Sequence, residues 1–167
     1  RRLQRPERVA YLGPEGTFSH FAAMAALGHS PEFLPQTTIG DVFDAVARKK
    51  ADLGIVPLEN SLQGTVGQSL DNFQRHTVSI QAEITCRVSH ALLSTATSLD
   101  AIDTVYSHPQ PLAQCAAWLH QHLPRARIIP TDSTAAAAAR LAAEAAAASI
   151  GHVKLAKLHD LRVLASP

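Results

Sequence analysis

A chain of 167 residues with 46% hydrophobic and 17% charged side chains can bury one core or two small lobes sharing a cleft, and is expected to fold as a soluble globular protein. The formal net charge is +1; the first eight residues, with four arginines and one glutamate, contribute +3 and the remainder −2, which argues against a nucleic-acid partner. Cys86 and Cys115 stand 29 positions apart with no Cys-x-x-Cys pair, no apolar run reaches the roughly 18 to 20 residues of a membrane span, and no signal-peptide pattern opens the chain, so the expected setting is the cytosol with reduced thiols.

Residues 1–8 read as a charged linker, and a start at Arg1 without Met suggests a piece of something longer. Val9-Ala10-Tyr11-Leu12 is a β-type apolar run, followed by a Gly/Pro loop and a helical stretch from His20 to Leu27. Thr38-x-x-Asp41 has the form of a capping box ahead of Val42, Phe43, Ala45 and Val46, whose spacing suits one buried helix face. Leu53-Gly54-Ile55-Val56-Pro57 reads as a buried strand ending in a polar loop, Glu59 to Gly64. Residues 77–94 are rich in β-branched side chains and predict long extended segments crossing from one lobe to another. Thr104-Val105-Tyr106 predicts a strand leading to Ser107, and Pro111 to Leu123 a helix. Ala126 to Ile129 reads as a strand. Asp132 or Ser133 caps an Ala-rich helix over 134–147, with Arg140 and Glu144 as an i, i+4 pair. Strands over 148–150 and 162–164 flank a short helix holding Leu155 and Leu158.

Alternating strands and helices predict an α/β sheet, in which ligands bind beyond the carboxyl ends of strands. Three polar segments follow strands directly: 13–19, 59–64 and 107–110. On the residues alone each keeps two readings. Gly13-x-x-Gly16 lacks both the dinucleotide pattern and a following Gly-Lys-Ser/Thr; it fits a turn with φ > 0 at Gly16 and a helix cap at Thr17 or Ser19, or a carboxylate site at that helix start. Glu59-Asn60-Ser61 is a turn cluster or a binding loop, and Ser107 before Pro109 is a helix cap or a ligand contact. Gln114 lies one turn beyond Gln110 and can face the same way. Nine histidines show no metal-ligand spacing, so no metal is expected, and Cys115 sits mid-helix as a structural thiol.

Gly13-Pro14-Glu15-Gly16-Thr17-Phe18-Ser19, Gly54 to Ser61, Ser107-His108-Pro109-Gln110 with Gln114-Cys115, and Ser133-Thr134-Ala135 with Ala137 occur in the order of the prephenate dehydratase motifs, and the chain from Val9 to about Leu164 resembles that family. The resemblance implies a two-lobed α/β fold like the type II periplasmic binding proteins, with substrate in a cleft between lobes: 9–84 as the first lobe, 85–151 as the second, and 152–167 as the start of a return crossing. It implies conversion of prephenate to phenylpyruvate, water and carbon dioxide in phenylalanine biosynthesis, without a cofactor because the aromatisation is redox-neutral. Thr17 and Ser19 would hold a carboxylate, and Asn60, Ser61, Ser107, Gln110 and Gln114 would line the cleft, with Asn60, Ser107 and Gln114 nearest the chemistry and Glu59 fixing its loop. A homo-oligomer, a fused chorismate mutase upstream and a phenylalanine-sensing ACT domain downstream are further implications.

The family's Thr-Arg-Phe motif, whose Thr is the assigned catalytic residue, does not occur in this chain. The resemblance therefore implies impaired turnover by these 167 residues alone and no phenylalanine binding. A non-aromatising prephenate decarboxylase and a non-catalytic ligand-binding module of the same fold are the competing readings.

Overall fold

The apolar run at 9–12 forms the middle of a three-stranded parallel sheet in the computed structural model, which describes residues 5–61 and 64–167. β1 (Arg8–Leu12) lies between β2 (Glu32–Gln36) and β3 (Leu53–Ile55). Val9, Ala10 and Tyr11 are at most 1% exposed. Successive strand residues point to opposite faces, so three buried in a row means both faces are covered, which is why the run shows no alternation.

α1 (Phe18–Leu27) and α2 (Ile39–Ala47) pack against this strand. α2 starts where the capping box predicts: the Asp41 N–H donates to Thr38 Oγ1 at 3.0 Å, and the Thr38 N–H to Asp41 Oδ2 at 3.1 Å. Val42 and Ala45 of its buried face close a core with Ala10 and Ala51. Two elements of this region carry no clear sequence signal. β2 contains Pro35, which cannot donate to a ladder and is accommodated because β2 is an edge strand. α3 (Gly67–Arg75) is largely polar, buries Ser69, and docks by setting Phe73 edge-on to Phe43 with ring centres 4.8 Å apart.

The segment expected as a polar loop from Glu59 is an antiparallel hairpin, β4 (Glu59–Asn60) against β5 (Gly64–Thr65). Its connecting residues 62–63 lie outside the described residues. Gly64 has φ 76°, a backbone that Gly adopts without strain. The expected extended segments at 77–94 shrink to β6 (Ala91–Ser94). Residues 77–90 join no sheet among the described residues, and Ile80, Ile84 and Val88 remain 67%, 43% and 48% exposed. β-branched composition stabilises a strand through packing against neighbouring side chains, and these three remain largely in solvent.

The chain divides between Cys86 and Arg87. The second unit holds β6, β7 (Thr104–Ser107), β8 (Arg127–Pro130), β9 (Ala147–Gly151) and β10 (Arg162–Ala165) in one sheet, ordered β10-β6-β9-β7-β8. β7 runs parallel to both β8 and β9, while β6 is antiparallel to β9 and β10. Leu92, Val105, Ala148 and Ile150 pack with Leu119 and Leu123 in one core cluster, and Tyr106 and Ala147 pack with Ala137 and Leu141 in another. Within residues 152–167, β10 belongs to the second unit, with Arg162 opposite Ser94 and Val163 opposite Leu93.

Three helical expectations change in this unit. The helix over 111–123 is two, α4 (Pro109–Gln114) and α5 (Ala116–His122), with Cys115 between them. The Ala-rich helix is α6 (Thr134–Arg140), extended by one 3-10 turn to Ala143; Ala147 opens β9 instead, ahead of Ala148 in the expected strand. Burial between two strands outweighs the helix propensity of Ala here, since Ala147 is 1% exposed. Arg140 and Glu144 consequently do not pair along a helix. Arg140 lies over the Tyr106 ring at 4.5 Å, and the Tyr106 hydroxyl donates to Glu144 Oε2 at 2.6 Å. The short helix near the end is α7 (Leu155–Leu158), whose Leu155 is fully buried.

Candidate functional site

In the first unit the segment 13–19 leaves the carboxyl end of β1 and opens α1. Gly13 donates its N–H to Gln36 O at 2.8 Å, and a Cβ there would sit 2.9 Å from Pro35 Cβ, so the close approach to β2 requires glycine. Gly16 has φ 88°, as expected of the turn. Thr17, not Ser19, is the helix cap: its Oγ1 accepts from the His20 N–H at 3.3 Å and donates to Leu12 O at 2.9 Å. With its one proton occupied by Leu12, Thr17 holds the segment in place and has none left for a ligand. Ser19, half-buried on the first helical turn, carries the segment's other hydroxyl.

Thr17→Val keeps the shape and loses both hydrogen bonds. Loss of the cap is expected to lower the unfolding free energy by about 0.5 to 2 kcal/mol, read by urea denaturation. An unchanged midpoint would show that the cap contributes nothing to α1.

The hairpin after β3 exposes Glu59 and Ser61 and half-buries Asn60. It is tied at its base by the Val66 N–H donating to Leu58 O at 2.8 Å, and the Ser69 hydroxyl donates to Pro57 O. Glu59 pairs with Thr65 and Asn60 with Gly64 in the ladder. The hairpin form comes from the chain's own backbone pairing.

In the second unit the parallel strands β7, β8 and β9 end at one edge of the sheet. Ala91 opposes Gly151, so the antiparallel β6 starts at this same edge and brings His90 to it. The edge therefore collects Ser107, His108, Gln110 and Gln114 after β7, His152 after β9, and His90 before β6. Ser107 is fully buried and its hydroxyl donates to Ile150 O at 2.7 Å, joining the ends of β7 and β9. It is not the cap of the following helix. His108 is, with Nδ1 accepting from the Gln110 N–H at 3.2 Å, while Pro109 takes the first helical position, where a missing N–H costs nothing.

Gln114 is exposed, and its Oε1 lies 2.6 Å from His90 Nε2. An amide oxygen accepts, so Nε2 carries the proton, and this bond aims the Gln114 NH₂ group away from the ring as a donor. His152 Nδ1 accepts from the Lys154 N–H at 3.1 Å; burial first, and then the Lys154 charge, lower its pKa. Burial pushes the Cys115 thiol up, away from thiolate character. Ser133, rather than Asp132, caps α6 by accepting from the Ala136 N–H at 2.9 Å.

The expected site residues are divided between the two units. Thr17, Ser19, Glu59, Asn60 and Ser61 belong to the first unit, and Ser107, Gln110 and Gln114 to the second. Segments 13–19, 59–61 and 107–114 hold no Lys or Arg, so they offer hydroxyls, amides and backbone N–H groups. Among the described residues no three His, Cys, Asp or Glu side chains gather as a metal would require. Among the described residues no helix is long and apolar enough to cross a membrane. Reading the histidines by metal-ligand spacing misses His20 and His90, whose neighbours are far away in sequence or in the opposite direction along it. A histidine just before a buried strand and another just inside a helix start were the available signals.

Residues 9–167 match the prephenate dehydratase family. The bifunctional chorismate mutase/prephenate dehydratase of Stutzerimonas stutzeri is 43% identical over 164 residues, which cover 98% of this chain and 45% of that protein. The prephenate dehydratase of Lactococcus lactis is 37% identical over 161 residues, covering 95% of this chain and 57% of that one. The chain thus spans about half the length of the curated relatives it matches. Among solved structures, the prephenate dehydratase of Arthrobacter aurescens in complex with L-Phe superposes with a TM-score of 0.86 at 32% identity, over 95% of this chain and 55% of that one.

Proposed function

The chain belongs to the prephenate dehydratase family, and from that premise we propose that it carries prephenate-binding and dehydrating residues of a prephenate dehydratase. The observation that carries this reading is the family match over 9–167, which includes all three motif segments. In the reaction the bond to the ring carboxylate breaks, its electron pair enters the ring, and the ring hydroxyl departs. Protonated on leaving, it becomes water beside carbon dioxide and phenylpyruvate. The protein's task is to orient a dianion and to assist the departing hydroxyl by hydrogen bonding or proton donation.

We assign donation to the substrate to Ser19, Asn60, Ser61, Gln110 and Gln114, and positioning to Thr17, Glu59 and Ser107. The support is chemical: Ser19 and Gln114 have donors to offer, whereas the hydroxyl protons of Thr17 and Ser107 are held by carbonyls. A dianion met without lysine or arginine relies on several such donors, each worth about 1.5 to 3 kcal/mol when its partner is charged. A cytoplasmic setting, a chorismate mutase segment on the same protein and self-association belong to the same reading; the first accords with the two thiols, the second with the bifunctional relatives.

Incubating the protein with prephenate separates the readings. Phenylpyruvate and carbon dioxide in equal amounts, above the uncatalysed rate, are the expected products. Carbon dioxide without phenylpyruvate would identify a non-aromatising decarboxylase. Saturable binding with neither product, in a protein that also carries Thr-Arg-Phe, would identify a binding module.

A further inference from the structure

His20 is outside every motif segment described above, yet it supports one of them. The side chain is 7% exposed and its ring lies on Tyr11, with centres 4.6 Å apart and planes within 10°, while Phe33 meets it edge-on at 5.9 Å. The Gly16 N–H donates to its Nδ1 at 3.0 Å. An accepting Nδ1 carries no proton, so the ring is neutral with its proton on Nε2. We propose that His20 is the positioning residue of segment 13–19: its neutral ring holds the Gly16 turn in the form that binds a dianion, and protonation of the ring releases the turn and weakens binding. This rests on reading 13–19 as part of the prephenate site.

The physical reason is the reversal of one hydrogen-bonding role. Imidazolium has a proton on both nitrogens, so Nδ1–H would point at the Gly16 N–H, donor against donor. Gly16 holds φ at 88° and Thr17 is anchored to Leu12, so the strain of that clash falls on the turn between them. Burial lowers the His20 pKa, with Glu15 opposing it to a lesser degree. The neutral form therefore persists down through the ordinary histidine range, and binding is lost only as pH falls through the lowered value. The titratable groups facing the ring are Tyr11 from β1 and Glu15 from the turn, while β2 contributes the uncharged Phe33. The Tyr11 hydroxyl, pushed up to about 12 by burial and then by Glu15, stays protonated throughout.

The test uses a ring-reduced prephenate analogue that cannot aromatise, bound to the protein and followed by calorimetry between about pH 5 and 8, where its carboxylates remain ionised. The affinity of the starting protein should fall about tenfold as pH drops through the midpoint of the His20 ring titration, the effect of one lost hydrogen bond. The Gly16 amide resonance should shift with the same midpoint as the His20 ring protons. His20→Asn, whose Oδ1 takes the place of Nδ1 as acceptor but does not titrate, should bind nearly as well at neutral pH and show none of this dependence. An affinity that stays level in the starting protein, a His20 titration that leaves the Gly16 amide unmoved, or a pH dependence retained in His20→Asn would each overturn the proposal. Absence of binding at every pH would remove the functional reading and this proposal together, whereas level binding removes the proposal alone.

Discussion

Ser107→Ala is expected to lower the unfolding free energy of the second unit by about 1 to 3 kcal/mol, while Ser149→Ala, on the neighbouring strand, should leave it unchanged or slightly raise it. Both serines are fully buried in the same sheet, and both substitutions remove one hydroxyl. The Ser107 hydroxyl donates to Ile150 O at 2.7 Å, so its removal leaves that carbonyl in the interior without this donor. The Ser149 hydroxyl has no hydrogen-bond partner among the described residues, so removing it relieves a buried polar atom instead. Chemical denaturation of the two variants gives the comparison directly. Equal losses in both would show that burial, and not the Ser107–Ile150 bond, sets the effect. The structure thereby alters the meaning of Ser107 in the Ser-His-Pro-Gln motif: weakened prephenate binding in Ser107→Ala would follow from the loosened junction of β7 and β9.

What the sequence made legible depended on how local the signal was. The α2 capping box, the buried β1 run and the Gly16 turn each result from a few adjacent residues, and each stands where the sequence puts it. The α/β class follows from the alternation of such elements. Where the deciding contact is distant, the sequence misleads. Ala147 has the composition of a helix, yet a place in β9 between β6 and β7 makes it strand. β2 is hidden by Pro35 because nothing local says that the strand is an edge. The site shows the same division. Motif order named the three segments, but not which hydroxyls have a proton to give, since that depends on Leu12 O for Thr17 and on Ile150 O for Ser107. Nor could it pair His90 with Gln114, 24 residues away.

That pair carries the largest expected effect on binding. With Oε1 held by His90 Nε2–H at 2.6 Å, the Gln114 NH₂ group is a donor whose orientation is set before a ligand arrives. A hydrogen bond to a charged ligand is worth about 1.5 to 3 kcal/mol, so Gln114→Ala should weaken binding of the ring-reduced prephenate analogue by roughly ten- to a hundredfold. Gln114→Glu is the sharper variant. It keeps an acceptor for His90 but sets a carboxylate oxygen where the donor was, so a lost hydrogen bond is joined by repulsion from a dianion, and affinity should fall below that of Gln114→Ala. Gln114 is exposed on the last turn of α4, so neither change should shift thermal melting appreciably. Cys115→Ser and His120→Ala, one and six positions further along and assigned to packing and to the surface, should bind as the starting protein does. Calorimetry on the four variants decides the matter: if Gln114→Glu binds the dianion as tightly as the starting protein, Gln114 does not face the substrate, and the strand-end cluster of the second unit loses its role in prephenate recognition.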